Sequence, residues 1–284
     1  MEKRRDLFMK KIATMQDISC VGKCSLTVAL PVISAMCIET AVIPTAVLST
    51  HTMFSGFTFH DLTGEIVPIM DHWQKEGFAF DALYTGYLGS FEQLNIAASL
   101  FARFGAASLK IVDPCMADNG KLYAGFTKEF AQAMKGLCAK ADIICPNMTE
   151  ASFLLDIPYQ TEYDEVYVRD LLRQLTDLGA KKAVLTGISL AKGKLGAYAY
   201  DSETDTFLSY FNDEEAEHFH GTGDIWASTL CGGLVNGKSF AEAIAIACDF
   251  VKECIHVTLQ EENHNTYGVN FEQAIPYLIQ RLNG

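Results

Sequence analysis

Two glycines bracket a threonine, and an aspartate follows, at His220-Gly221-Thr222-Gly223-Asp224, directly ahead of the apolar run Ile225-Trp226-Ala227. Glycines let the backbone turn tightly and point several N–H groups the same way. A helix starting there adds its unpaired amides and the positive end of its dipole. That combination is an anion site, most often for a phosphate. A carboxylate at its mouth repels a bound phosphate, so Asp224 has a purpose if it takes a proton from a hydroxyl that attacks the phosphate. The competing reading makes Asp224 a helix N-cap. His220, one residue before the loop, reads first as a packing or hydrogen-bonding residue.

Phosphoryl transfer also needs a metal, and Mg²⁺ keeps several waters, so one or two carboxylates suffice. Asp113, Asp118 and Glu150 are the candidates, in part through water. Each has a plainer reading. Asp113-Pro114 opens a turn, Asp118-Asn119-Gly120 is a turn by composition, and Glu150 suits a helix N-terminus. Their weight comes from position. Gln16-Asp17, Tyr87, Asp113, Asn147, Glu150 and Thr186 recur after short apolar runs.

Those runs are the strands that must position them. Strands are expected at 10–16, 39–48 (interrupted at Pro44), 80–85, 109–112, 141–145 and 182–186, with a hairpin at 195–200 and 206–211. Helical spacing is expected at 25–36, 61–76, 91–104, 127–138, 148–155, 164–178, 224–234, 239–259 and 270–281. Alternation of this kind argues for one α/β domain over 1–284, with a mostly parallel sheet covered on both faces. Ligands of such sheets gather at the carboxyl ends of the strands. Residues 17–24 read as a loop; Gly22-Lys23-Cys24-Ser25 lacks the earlier glycine of a phosphate loop. Residues 48–60, rich in threonine, histidine and aromatic groups, read as a flap over a ligand. Residues 1–10 read as a flexible extension.

The charge of −13 over 284 residues comes with no basic stripe, which argues against nucleic acid. Nine scattered cysteines form no Cys-x-x-Cys pair, and Cys20 and Cys24 lack a second ligand pair for zinc. They read as reduced thiols in a cytoplasmic protein. No signal peptide or membrane span is expected.

Gly221-Thr222-Gly223-Asp224, together with the earlier Asn147-Met148-Thr149-Glu150, resembles the ribokinase-like superfamily. Met15-Gln16, Thr50-His51-Thr52, the stretch from Thr85 to Ser90, Val112-Asp113-Pro114 and the stretch from Ala141 to Asn147 are similar to the pyridoxal kinases within it. The resemblance runs from about Ile12 to Leu259. It implies a three-layer fold and ATP-dependent phosphorylation of the 5′-hydroxymethyl of a B6 vitamer. Asp224 would be the base and Gly221, Thr222 and Gly223 the anion hole. Asp113, Tyr123, Asn147, Glu150 and Thr186 would face ATP, with Mg²⁺ near Asp113, Asp118 and Glu150 and room for a monovalent cation. Asp17, Ala46, His51, Thr52 and Tyr87 would line the ring pocket, and a homodimer is the family expectation. Three departures stand out. Asp17 replaces the usual ring-side serine, and Cys115 and Ala117 replace the usual valine and glycine. Asp17 keeps open a different heterocyclic alcohol, such as hydroxymethylpyrimidine. A non-catalytic vitamer- or nucleotide-binding protein is the alternative from another class.

Overall fold

The computed structural model describes residues 9–284, so most of the expected 1–10 extension lies outside the described residues. Lys10 lies within them, and its Nζ donates to the Val235 carbonyl at 2.6 Å. The strands are β1 (Lys11–Ser19), β2 (Glu39–Leu48), β3 (Phe59–Asp61), β4 (Ala82–Thr85), β5 (Leu109–Val112), β6 (Ala117–Asp118), β7 (Lys121–Leu122), β8 (Ile143–Ile144), β9 (Lys182–Ile188), β10 (Lys194–Asp201) and β11 (Thr206–Asp213). The helices are α1 (Leu26–Ala35), α2 (Thr63–Glu76), α3 (Phe91–Phe104), α4 (Lys128–Cys138), α5 (Met148–Leu155), α6 (Glu165–Asp177), α7 (Thr222–Val235), α8 (Phe240–Leu259) and α9 (Phe271–Asn283).

Nine strands form one sheet in the order β11-β10-β9-β8-β5-β4-β1-β2-β3, and β6 and β7 make a separate small hairpin. The pairings from β2 through β1, β4, β5 and β8 to β9 are parallel. Antiparallel strands close both edges. Two apolar cores follow, one on each face. Side chains of α2 to α6 fill the first, and those of α1, α7, α8 and α9 fill the second. The expected three-layer α/β architecture is therefore the one found. Among the described residues no helix is long and apolar enough to cross a membrane.

Local departures have local causes. β1 continues through Asp17 to Ser19, where a loop is expected, because β2 pairs alongside it with a register shift after Pro44. Proline has no N–H to give the ladder, and the resulting bulge re-aims the residues around it. β2 itself is not broken at Pro44. Helix α7 begins at Thr222 rather than Asp224, and its N-cap is Gly221 in the left-handed conformation (φ 78°). Asp224 thus sits in the first turn and is not the cap. Residues 224–233 of α7 are all buried, as befits a helix held between the sheet and two helices.

Asp142 fastens the amino ends of three adjacent strands. Its Oδ2 accepts the Lys110 N–H at 2.9 Å and pairs with Lys110 Nζ at 2.9 Å, while Oδ1 pairs with Lys181 Nζ at 3.1 Å. Asp142→Ala leaves that amide and two cations unpaired, so it should cost roughly 1–3 kcal/mol. A lower melting temperature with an unchanged KM for ATP is the expected outcome.

Candidate active site

The 221–224 loop depends on one close approach. A Cβ on Gly221 would lie 2.0 Å from the Lys23 carbonyl oxygen, and its φ is positive, so only glycine fits. A Cβ on Gly223 would meet nothing within 4 Å. The protein itself makes no demand for glycine at 223, and the open space suits a ligand that approaches the backbone closely. The Thr222 hydroxyl donates to the Phe219 carbonyl at 3.0 Å and fixes the start of the helix.

Asp224 is buried, and its Oδ1 has no hydrogen-bond partner. Burial pushes its pKa up to about 7, with the Ser25 main chain opposing and the Asp17 carboxylate adding to the rise. A carboxylate of that pKa is a competent base near neutrality.

Beside this loop lies a cavity of about 530 Å³. Asp118, Tyr123, Asn147 and Thr186 line it together with Gly221, Thr222 and Gly223. The sheet brings Asn147 and Thr186 side by side, since the two form a parallel bridge. Asn147 caps α5 in a reciprocal box. Its Oδ1 accepts the Glu150 N–H and its own N–H donates to Glu150 Oε2, both at 2.9 Å. Its side-chain amide donates to the Ala117 carbonyl at 2.8 Å and so holds the β6–β7 hairpin.

Asp113 and Glu150 are buried outside that lining. Desolvation, with the Glu150 and Asp224 charges, holds Asp113 well above the usual carboxylate range. Burial pushes Glu150 up to about 7, opposed by main-chain donors at Asn147, Met116 and Ala117. Both Glu150 oxygens are engaged, since Oε1 accepts the Met116 N–H at 3.0 Å. Asp118 oxygens accept from the Asn119 main chain and side chain. Asp113 accepts only from the Cys115 N–H, at 3.3 Å through Oδ1. Among the described residues no three His, Cys, Asp or Glu side chains form a metal-holding group. This donor set fits a magnesium ion carried mainly by phosphate oxygens and water, with Asp113 and Asp118 nearby. Glu150 fits a role as frame for the 116–117 turn and the α5 start.

The expected ring-pocket residues lie off this cavity lining. Asp17 is buried and accepts the Ser19 hydroxyl at 3.0 Å; burial raises its pKa, opposed by the Ser25 and Ser19 hydroxyls. Ala46 is buried in β2 opposite Asp61. Tyr87 is half-buried with its ring 5.4 Å from that of Phe126, and burial followed by the Asp17 charge pushes its pKa up to about 12. Both ring nitrogens of His51 are spent inside the protein. Nδ1 accepts the Met53 N–H at 3.2 Å, which leaves Nε2–H to donate to the Tyr267 carbonyl at 3.1 Å. Thr52 is exposed, in a 49–58 excursion that returns through β3 onto β2. His220 stacks on His51 at 6.0 Å and lines the cavity.

Sequence reasoning missed the far wall. Cys248, Val251, Lys252 and Ile255 of α8 line the cavity with Trp226, whose Nε1–H donates to Cys248 Sγ at 3.3 Å. Lys252 is the only lysine or arginine in that lining. The spacing of three and four was the available signal, and it is equally the signature of a core face.

With a buried carboxylate, a glycine loop at a helix start and a groove at the carboxyl edge of a parallel sheet, the chain is a small-molecule kinase of ribokinase-like fold. The chain belongs to the phosphomethylpyrimidine kinase family, whose model matches residues 30–269. A candidate phosphomethylpyrimidine kinase of Bacteroides thetaiotaomicron, crystallised with pyridoxal, is 36% identical with a TM-score of 0.91, covering 95% of this chain and 96% of that one. The pyridoxal kinase of Lactobacillus plantarum is 30% identical with a TM-score of 0.89, covering 96% and 98%. Pyridoxal kinase PdxY of Pasteurella multocida is 27% identical over 256 residues, 83% of this chain and 84% of its own.

Three outcomes are expected from this geometry. Asp224→Asn should abolish turnover while leaving ATP binding in place and raising the melting temperature. The sign follows from linkage: with a folded pKa of about 7 against 3.8 unfolded, the buried charge costs nothing at low pH and on the order of 4 kcal/mol well above 7. For the same reason kcat/KM of the wild type should fall tenfold per pH unit below about 7. The two glycines should separate. Gly221→Ala should lower stability and activity together, whereas Gly223→Ala should keep the wild-type melting curve and lose kcat/KM, as measured by thermal denaturation and steady-state kinetics.

Proposed function

We propose that the protein transfers the γ-phosphoryl group of ATP to the 5′-hydroxymethyl of pyridoxal, pyridoxamine or pyridoxine. The observation that carries this reading is the buried Asp224, one oxygen unpartnered, in the first turn behind Gly221-Thr222-Gly223. In this reading ATP lies in the groove between Thr186 and α8, with its phosphates toward the loop. Asp224 takes the alcohol proton as the substrate oxygen bonds to phosphorus and the bond to the ADP oxygen breaks. The amides of Gly221, Thr222 and Gly223 stabilise the charge on the transferring group. Asp113 and Asp118 would help hold Mg²⁺, which would supply neutralisation of the phosphate charge. The groove is acidic, with Asp213, Glu214 and Glu215 in its lining, so a metal-bound nucleotide suits it better than a bare one.

The ring sits near Asp17, Ala46, His51, Thr52 and Tyr87, with the flap over it. The Tyr87 ring suits an aromatic substrate. Flap side chains Met53, Phe54 and Phe59 are exposed, which favours a homodimer through this face. The working place of such an enzyme is the cytoplasm.

A second reading, phosphorylation of hydroxymethylpyrimidine, is favoured by the matching family description and by Asp17. ADP release measured with the three vitamers and hydroxymethylpyrimidine decides between them. B6 turnover at least about tenfold above the pyrimidine in kcat/KM is the expected outcome. The reverse order assigns the rival, and no ADP with any alcohol assigns a binding protein.

A further inference from the structure

The turn between β1 and α1 carries backbone strain. Lys23 and Ser25 both hold positive φ, of 52° and 50°. Side chains disfavour that region, and two such residues this close persist only where surroundings hold them. On its inner side the turn touches the chemistry. The Lys23 carbonyl oxygen is the atom that a Cβ on Gly221 would meet, at 2.0 Å, and the Ser25 main chain favours the ionised Asp224. On its outer side Lys23 Nζ donates to Asn270 Oδ1 and to Glu272 Oε2, both at 2.9 Å, with the Phe271 ring 5.8 Å away. Asn270 is itself fixed, its N–H donating to the Thr258 hydroxyl at 2.7 Å. The same C-terminal segment reaches the flap through Tyr267 and His51, and the His51 ring lies 2.4 Å from where a Gly22 Cβ would stand.

We propose that Lys23 is a positioning residue for phosphoryl transfer: its ammonium, held by Asn270 and Glu272 at the start of α9, fixes the strained turn that seats Gly221 and Asp224. The proposal rests on Asp224 as the base. Lys23 acts through its main chain, because its charge is spent on α9. An ion pair with a half-exposed glutamate contributes little to overall stability, so the effect is local. The groups that bear on Asp224 are Asp17 from β1, Cys24 from the turn, Tyr84 from β4, and Asp113 and Cys115 after β5. None is a cation. The Ser25 contact is therefore what favours the ionised base, and a turn that relaxes weakens it.

The test compares Lys23→Met, Lys23→Arg and Glu272→Gln in the full chain, by steady-state kinetics across the acid limb. Lys23→Met should lower kcat on the order of tenfold, with both KM values within about threefold, and should move the acid limb to higher pH. Lys23→Arg should restore most of the rate and the limb, since a guanidinium can meet the same two acceptors. Glu272→Gln should fall between. A Lys23→Met enzyme with wild-type kcat and acid limb overturns the proposal. So does a loss of rate that leaves the limb in place or that arginine fails to recover. If Lys23→Met does not fold, Asn270→Ala and Glu272→Gln test the same link from its other end, with the same expected shift and the same overturning result. Asp224→Asn in the same assay separates the two readings. An active Asp224→Asn removes the base itself, whereas an inactive one beside an unaffected Lys23→Met removes only the role of Lys23.

Discussion

A carboxylate without a cation, buried where several carboxylates face one another, is the constraint on which this structure turns. Asp224 needs burial to hold a proton affinity near neutrality, and burial is what makes its charge costly. Among the described residues, the groups that bear on Asp224 include no lysine or arginine, and Lys252 stands on the far wall of the groove. Main-chain donors offset the Asp224 charge instead, as they do at Glu150. The strongest fields here therefore come from backbone groups whose positions are set by strand ends, caps and one tight turn. Such groups cost no reorganisation when charge moves during a reaction.

The sheet makes this arrangement possible. Its parallel strands end on one rim, and short turns there are pinned to one another rather than to solvent. Glu150 shows the economy of the arrangement. It completes a helix cap, ties down the Met116 amide and holds buried charge next to Asp113. The 267–272 segment binds the opposite side of the rim in a comparable way, through His51 and Lys23.

Much of this was legible in residue order because it rests on local chemistry. The 39–48 strand has the same bounds in the sequence pattern and in the structure, since an uninterrupted pleat tolerates proline where no ladder donor is required. Thr127 and Asp164 stand just before their helices as capping residues should. The local pattern puts Asp17 in a loop, because a bulge depends on the partner strand, which local pattern cannot supply. The pattern starts α7 two residues late because glycine is a poor helix former, whereas the helix starts behind Gly221, its left-handed cap set close to the Lys23 carbonyl. Of the site, the carboxylates and the glycine loop stood out by type. The α8 wall did not, because Val251 and Ile255 look the same facing a nucleotide as facing a core.

Trp226 in that wall carries an optical consequence. The chain has two tryptophans, and Trp73 packs against Phe80 on the opposite face of the sheet, 5.2 Å between rings. Trp226 instead borders the cavity with its indole N–H on a thiol. Filling the cavity changes the surroundings of one indole and leaves the other alone. The protein thus contains its own fluorophore for following occupancy of the groove, two residues along the helix from Asp224.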